Sequence, residues 1–224
     1  MTLLKRERPL EIYGPQGLAG FIDAFSSTLG GPGFPTTIHE VTSGGVILET
    51  SEYKVHAIQA DHDGPSWSYV IEEKPRPGRF HPERAISRGI PEGPLWKSLQ
   101  LGEDVKNSGG TLVRSDEVVD APIKGLKVAY SGDTRPSEAF MAASEKADVL
   151  IYEATFDSSL HEKAEENGHS TAAQAAQIAK SADVGLLLLT HISSRYPDPA
   201  LLLEEATKIF PNTKIAQDLM ELDV

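Results

Sequence analysis

Lys127-Val-Ala-Tyr130-Ser-Gly-Asp133 opens the stretch whose reading decides the fold. From Lys127 to Ala216 short apolar runs alternate with amphipathic ones. Lys127 to Tyr130, Val149 to Tyr152, Leu186 to Thr190 and Thr213 to Ala216 read as strands. Ser137 to Lys146, Thr171 to Ala182 and Pro199 to Phe210 carry helical spacing between them. Thr171 and Gln174 have the spacing of a capping box, which starts a helix directly after His169. Alternation of this kind predicts an α/β fold, a sheet covered by helices.

Towards the N-terminus, Leu10 to Tyr13 alternates and meets a turn at Gly14-Pro15. Gly17 to Leu29 follows as a helix, with Leu18, Phe21, Ile22, Phe25 and Leu29 on one face, and Gly30-Gly31-Pro32-Gly33 stops it. Strands are expected at Thr37 to Val41, Val46 to Thr50, Tyr53 to Ile58 and Trp67 to Ile71. The stretch from Lys74 to Gly110 differs: prolines 75, 77, 82, 91 and 94 and several glycines leave room only for helical pieces near Pro82 to Ser87 and Leu95 to Leu101. A segment this long without regular structure reads as a functional arm or a linker, here an arm at about 73–110 inserted into one domain, 1–224.

Composition narrows the function. The 224 residues are 39% hydrophobic and 24% charged, as in ordinary globular chains. No apolar run approaches the eighteen or so residues of a membrane span. With no cysteine, thiolate metal sites, disulfides and cysteine nucleophiles are excluded, so a metal must be held by His, Asp or Glu. The first nine residues lack the basic-then-apolar order of a signal peptide, and a cytoplasmic location is expected. The net charge of −12 argues against a general nucleic-acid coat. Yet Lys74, Arg76, Arg79, Arg84, Arg88 and Lys97, opposed only by Glu83 and Glu92, leave +4 on a short stretch. That stretch is either a polyanion grip or a solvated loop.

Polar residues recur just past strand ends. Asp133, Glu153 and His191 follow three of the C-terminal strands, and His62 follows Val55 to Ala60. In helix-covered sheets ligands collect at the carboxyl ends of strands, so these four suggest one convergent site. Singly, each could be an ordinary turn residue. Glu153, beside an apolar strand, needs a partner. His169 stands where helix N–H groups suit a phosphate, or simply precedes a cap. Nitrogen and oxygen donors of this kind suit zinc or another first-row metal. With no Walker or Rossmann glycine loop and no Gly-x-Ser-x-Gly elbow, the residues read as a metal-assisted hydrolase.

The residues also carry a resemblance. Tyr130-Ser-Gly-Asp133-Thr-Arg135, Tyr152-Glu153-Ala-Thr155-Phe156, His169-Ser-Thr171 and Leu189-Thr-His191-Ile-Ser-Ser-Arg195-Tyr196 resemble the ordered motifs of the ribonuclease Z family. So do Gly14-Pro15 before a helix and Gly89-Ile-Pro-Glu-Gly-Pro94 inside the basic stretch. The resemblance runs from end to end. It implies the metallo-β-lactamase fold, an αββα sandwich, and removal of the 3′ trailer from precursor tRNA with two zinc ions. Carried over residue by residue, it implies that His62 completes one zinc site, that Asp133 bridges the metals and that His191 completes the other. His169 would assist the leaving group with Glu153 paired to it, and the Lys74 to Lys106 stretch would grip tRNA.

One departure is large. The family's His-x-His-x-Asp-His cluster is absent from the 224 residues. With it go four of the seven ligands that the resemblance implies and the presumed general base. The resemblance therefore implies a chain lacking its N-terminal strands, an incomplete sandwich with an uncovered edge, weak zinc binding alone, negligible cleavage alone and a tendency to form a homodimer. A second reading is a non-catalytic tRNA-binding or interaction protein of the same descent. A third is a single-metal site of His62, Asp133 and His191.

Overall fold

The alternation read from Lys127 onward builds the parallel half of a mixed sheet. The computed structural model describes residues 6–223; residues 1–5, on which the signal-peptide reading partly falls, lie outside them. Its elements are β1 (Leu10–Pro15), α1 (Leu18–Leu29), β2 (Thr36–Val41), β3 (Gly45–Glu49), β4 (Tyr53–Gln59), β5 (Trp67–Glu73), α2 (Pro82–Ser87), α3 (Pro94–Gln100), β6 (Val105–Lys106) and β7 (Leu112–Val113). After them come β8 (Lys127–Tyr130), α4 (Glu138–Ala143), β9 (Val149–Glu153), α5 (His161–Glu166), α6 (Ala172–Ser181), β10 (Leu186–Thr190), α7 (Ala200–Ile209) and β11 (Thr213–Ile215). The chain forms two compact units, one up to Glu72 and from Leu126 onward, the other Glu73–Gly125.

The first unit holds a seven-stranded sheet ordered β11-β10-β9-β8-β5-β4-β3. Strands β8, β9, β10 and β11 are mutually parallel, while β5 runs antiparallel to β8. Parallel alignment brings the carboxyl ends of β8, β9 and β10 to one edge. Leu150, Leu187 and Leu189 of these strands are fully buried together with Phe140, Tyr152 and Leu202. Each such side chain contributes roughly 1.5–3 kcal/mol through burial. Helix α6 turns an alanine stripe inward, Ala172, Ala175, Ala176 and Ala179, and small side chains let a helix approach its neighbours closely. Its start follows the capping box: Thr171 Oγ1 accepts from Gln174 N, and the Gln174 side chain accepts from Thr171 N.

Strands β1 and β2 pair in parallel as a separate two-stranded sheet with α1 between them in the chain. The apolar face expected of this helix is present but uncovered among the described residues. Phe21, Phe25 and Leu29 are 66%, 54% and 70% exposed, and no residue of α1 is buried.

The second unit corrects the reading of an irregular arm ending near residue 110. It closes at Gly125 and has a core of its own: Ala85, Ile90, Leu99, Val105, Val113, Val118 and Val119, flanked by Phe80 and Trp96. The prolines keep α2 and α3 short without preventing packing, because Pro82 and Pro94 stand at the first helical turn, where no N–H is needed. Valines from beyond residue 110 complete the core, which is why the unit cannot end there. At its neck a Cβ on Gly125 would lie 2.2 Å from the Glu73 carbonyl oxygen, so only glycine admits the two chain ends side by side. The local charge of +4 is also diluted. Over Glu73–Gly125 nine basic side chains face eight acidic ones. Arg84 pairs with Asp120 at 3.5 Å and Arg88 with Glu117 at 3.0 Å, while Arg76, Arg79 and Lys97 are exposed.

Candidate active site

Glu153, the last residue of β9, organises the edge where the parallel strands end. Its side chain is 1% exposed and accepts five hydrogen bonds. Oε1 takes them from Thr134 N at 2.9 Å and His169 Nδ1 at 2.9 Å. Oε2 takes them from Ser170 N at 3.0 Å, Thr155 N at 3.3 Å and Thr155 Oγ1 at 2.8 Å. A buried carboxylate costs several kcal/mol in desolvation and is retained only when its lone pairs are satisfied, as they are here. One buried group thereby fixes the turn of Asp133, the ring of His169 and the strand end at Thr155. The Thr155 hydroxyl also reaches the His191 carbonyl oxygen at 3.2 Å. Buried as it is, Glu153 reaches the site through its bond to His169 Nδ1, which holds the ring in place.

His169 sits between α5 and α6 with Nδ1 committed to Glu153, which leaves Nε2 as its free nitrogen. His62, in the turn after β4, is held in the same way, Nδ1 donating to the Gly168 carbonyl oxygen at 2.9 Å. Gly168 must be glycine twice over: its φ is +76°, and a Cβ would lie 2.6 Å from His62 Nδ1. The three imidazoles form a row, with ring centroids 5.3 Å apart from His62 to His169 and 5.2 Å from His169 to His191. His191 adopts φ +54°, a left-handed conformation that a non-glycine residue takes at some cost. Its Nε2 lies 3.5 Å from Asp133 Oδ2.

Asp133, His169 and His191 offer ligand atoms that all lie within 4.8 Å of one another. Zinc bonds of 2.0–2.1 Å in tetrahedral geometry set neighbouring ligand atoms about 3.4 Å apart. The donor types and the His191–Asp133 spacing therefore fit an ion of this class. The set differs from the expected trio of His62, Asp133 and His191: among the described residues His169 belongs to it, and His62 stands beside it. The arm cations Lys74, Arg76, Arg79, Arg84, Arg88 and Lys97 all lie in the second unit. Nearby, burial, with the charges of Asp133 and Glu153 adding to it, pushes the Tyr130 phenol upward and keeps it protonated.

Sequence reasoning missed Arg135. Its guanidinium meets Asp61 at 3.3 Å and Asp63 at 2.9 Å, and the hydrogen bond it donates to Asp63 above all raises its already high pKa. The acid–imidazole–acid triplet Asp61-His62-Asp63 was the available signal, since two carboxylates flanking a histidine call for a cation.

A family profile described as the beta-lactamase superfamily domain matches residues 117–192. The ribonuclease Z of Methanosarcina acetivorans is 44% identical over 226 residues, covering 100% of this chain and 73% of that protein. That of Methanosarcina mazei is 46% identical, again covering 100% of this chain and 73% of that protein. Human tRNase Z, short form, shares the fold with a TM-score of 0.63 at 23% identity, over 98% of this chain and 69% of that one. The metallo-beta-lactamase fold protein YhfI from Bacillus subtilis does so with a TM-score of 0.58 at 20% identity, over 96% of this chain and 66% of that one. The profile and the structural likenesses define a metallo-β-lactamase fold protein, a superfamily that works with metal cofactors. Within it, the chain belongs to the ribonuclease Z family.

Proposed function

We propose that this chain carries the hydrolytic centre of a zinc-dependent endoribonuclease that removes the 3′ trailer from precursor tRNA. The observation that carries the reading is the row of three imidazoles beside Asp133, ordered from behind by a buried, fully bonded Glu153. Asp133 would serve two ions, with His191 completing one site and His62, whose Nδ1 bond to a carbonyl leaves Nε2 free to ligate, completing the other. When bound, such an ion polarises a phosphoryl oxygen and lowers the pKa of the attacking water. His169 keeps its Nδ1 proton on Glu153 and presents Nε2 towards the site, where it hands a proton to the departing 3′ oxygen. The remaining ligands of both ions would come from the family's His-x-His-x-Asp-His cluster, which these residues do not contain.

The ligand assignment separates two histidines. In a zinc titration of the protein, His62→Ala should lower affinity by at least about tenfold, and His169→Ala by less. The opposite order would make His169 the ligand and remove it as proton donor. For the 224-residue chain by itself we expect weak zinc binding and negligible cleavage, and for the chain joined to the family's His-x-His-x-Asp-His segment robust cleavage. Cleavage by neither form would overturn the reading.

The second unit is proposed as the tRNA-gripping arm, with Arg76, Arg79 and Lys97 exposed for phosphate contacts and Lys74, Arg84 and Arg88 beside them in sequence. Its narrow neck allows Glu73–Gly125 to be replaced by a short glycine–serine linker. In the joined enzyme that deletion should weaken precursor-tRNA binding by about tenfold or more at moderate salt and flatten its salt dependence, while a small phosphodiester is cleaved as before. Binding measured across a salt series checks this, and unchanged affinity and slope would make the unit a passive insertion. We further propose a cytoplasmic location and a homodimer that covers the exposed face of α1. Among the described residues no helix is long and apolar enough to cross a membrane. A non-catalytic tRNA-binding protein of the same descent is the alternative, and cleavage by the joined chain would exclude it.

A further inference from the structure

We infer that Arg135 is a positioning residue whose guanidinium joins the three segments that carry His62, Asp133 and His169 into one rigid unit. The inference rests on the reading of these residues as a metal-dependent centre.

Arg135 lies two residues past Asp133, and its side chain is 18% exposed. Its three donors reach three acceptors on two other segments. Nη1 and Nη2 donate to Asp61 Oδ1 at 3.3 Å and Asp63 Oδ1 at 2.9 Å, one on each side of His62. Nε donates to the Glu165 carbonyl oxygen at 2.7 Å, in the last turn of α5. That carbonyl, at the helix end, also receives Gly168 N at 3.4 Å. The main chain repeats the connection, with Arg135 N donating to Asp61 O at 2.8 Å and Asp61 N donating to Thr134 Oγ1 at 3.0 Å. From α5 the chain passes through Gly168, whose carbonyl receives His62 Nδ1, to His169. The path from Arg135 through the Asp61–Asp63 turn, His62, Gly168 and α5 therefore closes on Arg135.

A lysine cannot replace this arrangement. Its single ammonium is a point donor, whereas the planar guanidinium fork directs separate N–H groups at three acceptors. Nor is the arrangement mainly a source of stability. Asp61 and Asp63 are 60% and 65% exposed, and ion pairs to exposed carboxylates add little to folding. What the guanidinium supplies is the relative placement of His62 and Asp133, which come from turns more than seventy residues apart in sequence.

The test compares the parent protein with Arg135→Met, Arg135→Lys and the double variant Arg135→Met/His62→Ala. The first readout needs no metal. In 1H–15N spectra the His62 Nδ1 proton bound to Gly168 O, assigned by its absence in His62→Ala, should be observable in the parent and broadened beyond detection in both Arg135 variants, with melting temperatures close to the parent's. The second is zinc affinity. Arg135→Met and Arg135→Lys should each bind about 10–100-fold more weakly, as when a group orienting a ligand is removed. The double variant should bind no more weakly than His62→Ala alone, because Arg135 acts through His62. A parent-like imidazole signal in Arg135→Met, full recovery by lysine, or losses that simply add would each overturn the inference. If the parent binds no zinc, the reading as a metal centre fails, while the imidazole signal still decides the role of Arg135.

Discussion

Asp133→Ala is expected to abolish precursor-tRNA cleavage by the joined enzyme, a loss larger than that caused by His169→Ala. Asp133 Oδ2 stands 3.5 Å from His191 Nε2, at the spacing of two ligands on one ion. In the proposed centre this carboxylate serves both metals, so its removal undoes positioning, charge neutralisation and activation of water together. His169 supplies one proton transfer, which is worth roughly 10²–10⁴ in rate. Its alanine variant should keep slow, measurable cleavage, whereas Asp133→Ala should fall to the background of the assay. Single-turnover rates with both variants at saturating zinc check this. Equal and mild losses would count against the assignment of Asp133.

Glu153→Ala should produce the largest loss of stability among the site variants. Truncation leaves the buried amides of Thr134, Thr155 and Ser170 and the His169 Nδ1–H without their acceptor. Breaking a buried, bonded charge in this way typically costs 3–5 kcal/mol, because the orphaned donors stay desolvated. For a chain of this length each kcal/mol lowers the melting temperature by about 2–4 °C, so a fall of about 6–20 °C is expected. Glu153→Gln should lie between the two, since its amide oxygen can serve one side of the cluster while its NH2 group faces donors on the other. Thermal unfolding followed by circular dichroism measures both variants, and an unchanged midpoint for Glu153→Ala would contradict the description of this carboxylate as the hub of the site.

Local signals carried most of the legible part of the fold. Strand ends at Tyr130 and Thr190 follow from short apolar runs, and the start of α6 follows from Thr171 and Gln174 reading each other's backbone. Helix α5 was not legible because His161-Glu-Lys-Ala-Glu-Glu166 is polar and buries only Ala164, so no apolar period marks it. The extent of the second unit was not legible either, since its core is closed by valines distant in sequence from α2 and α3. At the site, Asp133, Glu153, His62 and His191 stood out because they follow strands. Arg135 did not, because its partners Asp61 and Asp63 meet it only in the folded chain. The exact membership of the metal set was beyond spacing alone: His62 and His169 both engage Nδ1 and leave Nε2, and only in the folded chain does His169 bring a ligand atom within 4.8 Å of those of Asp133 and His191.

The measurement that bears most directly on the central claim is the mapping of product ends after incubating the joined enzyme with a precursor tRNA carrying a 3′ trailer. With zinc present, the account predicts one discrete cut that separates the trailer from the tRNA body, absent after chelation and absent in Asp133→Ala. Folded, zinc-bound protein that leaves the precursor intact would contradict it, as would cutting at scattered positions or an unchanged product pattern in Asp133→Ala.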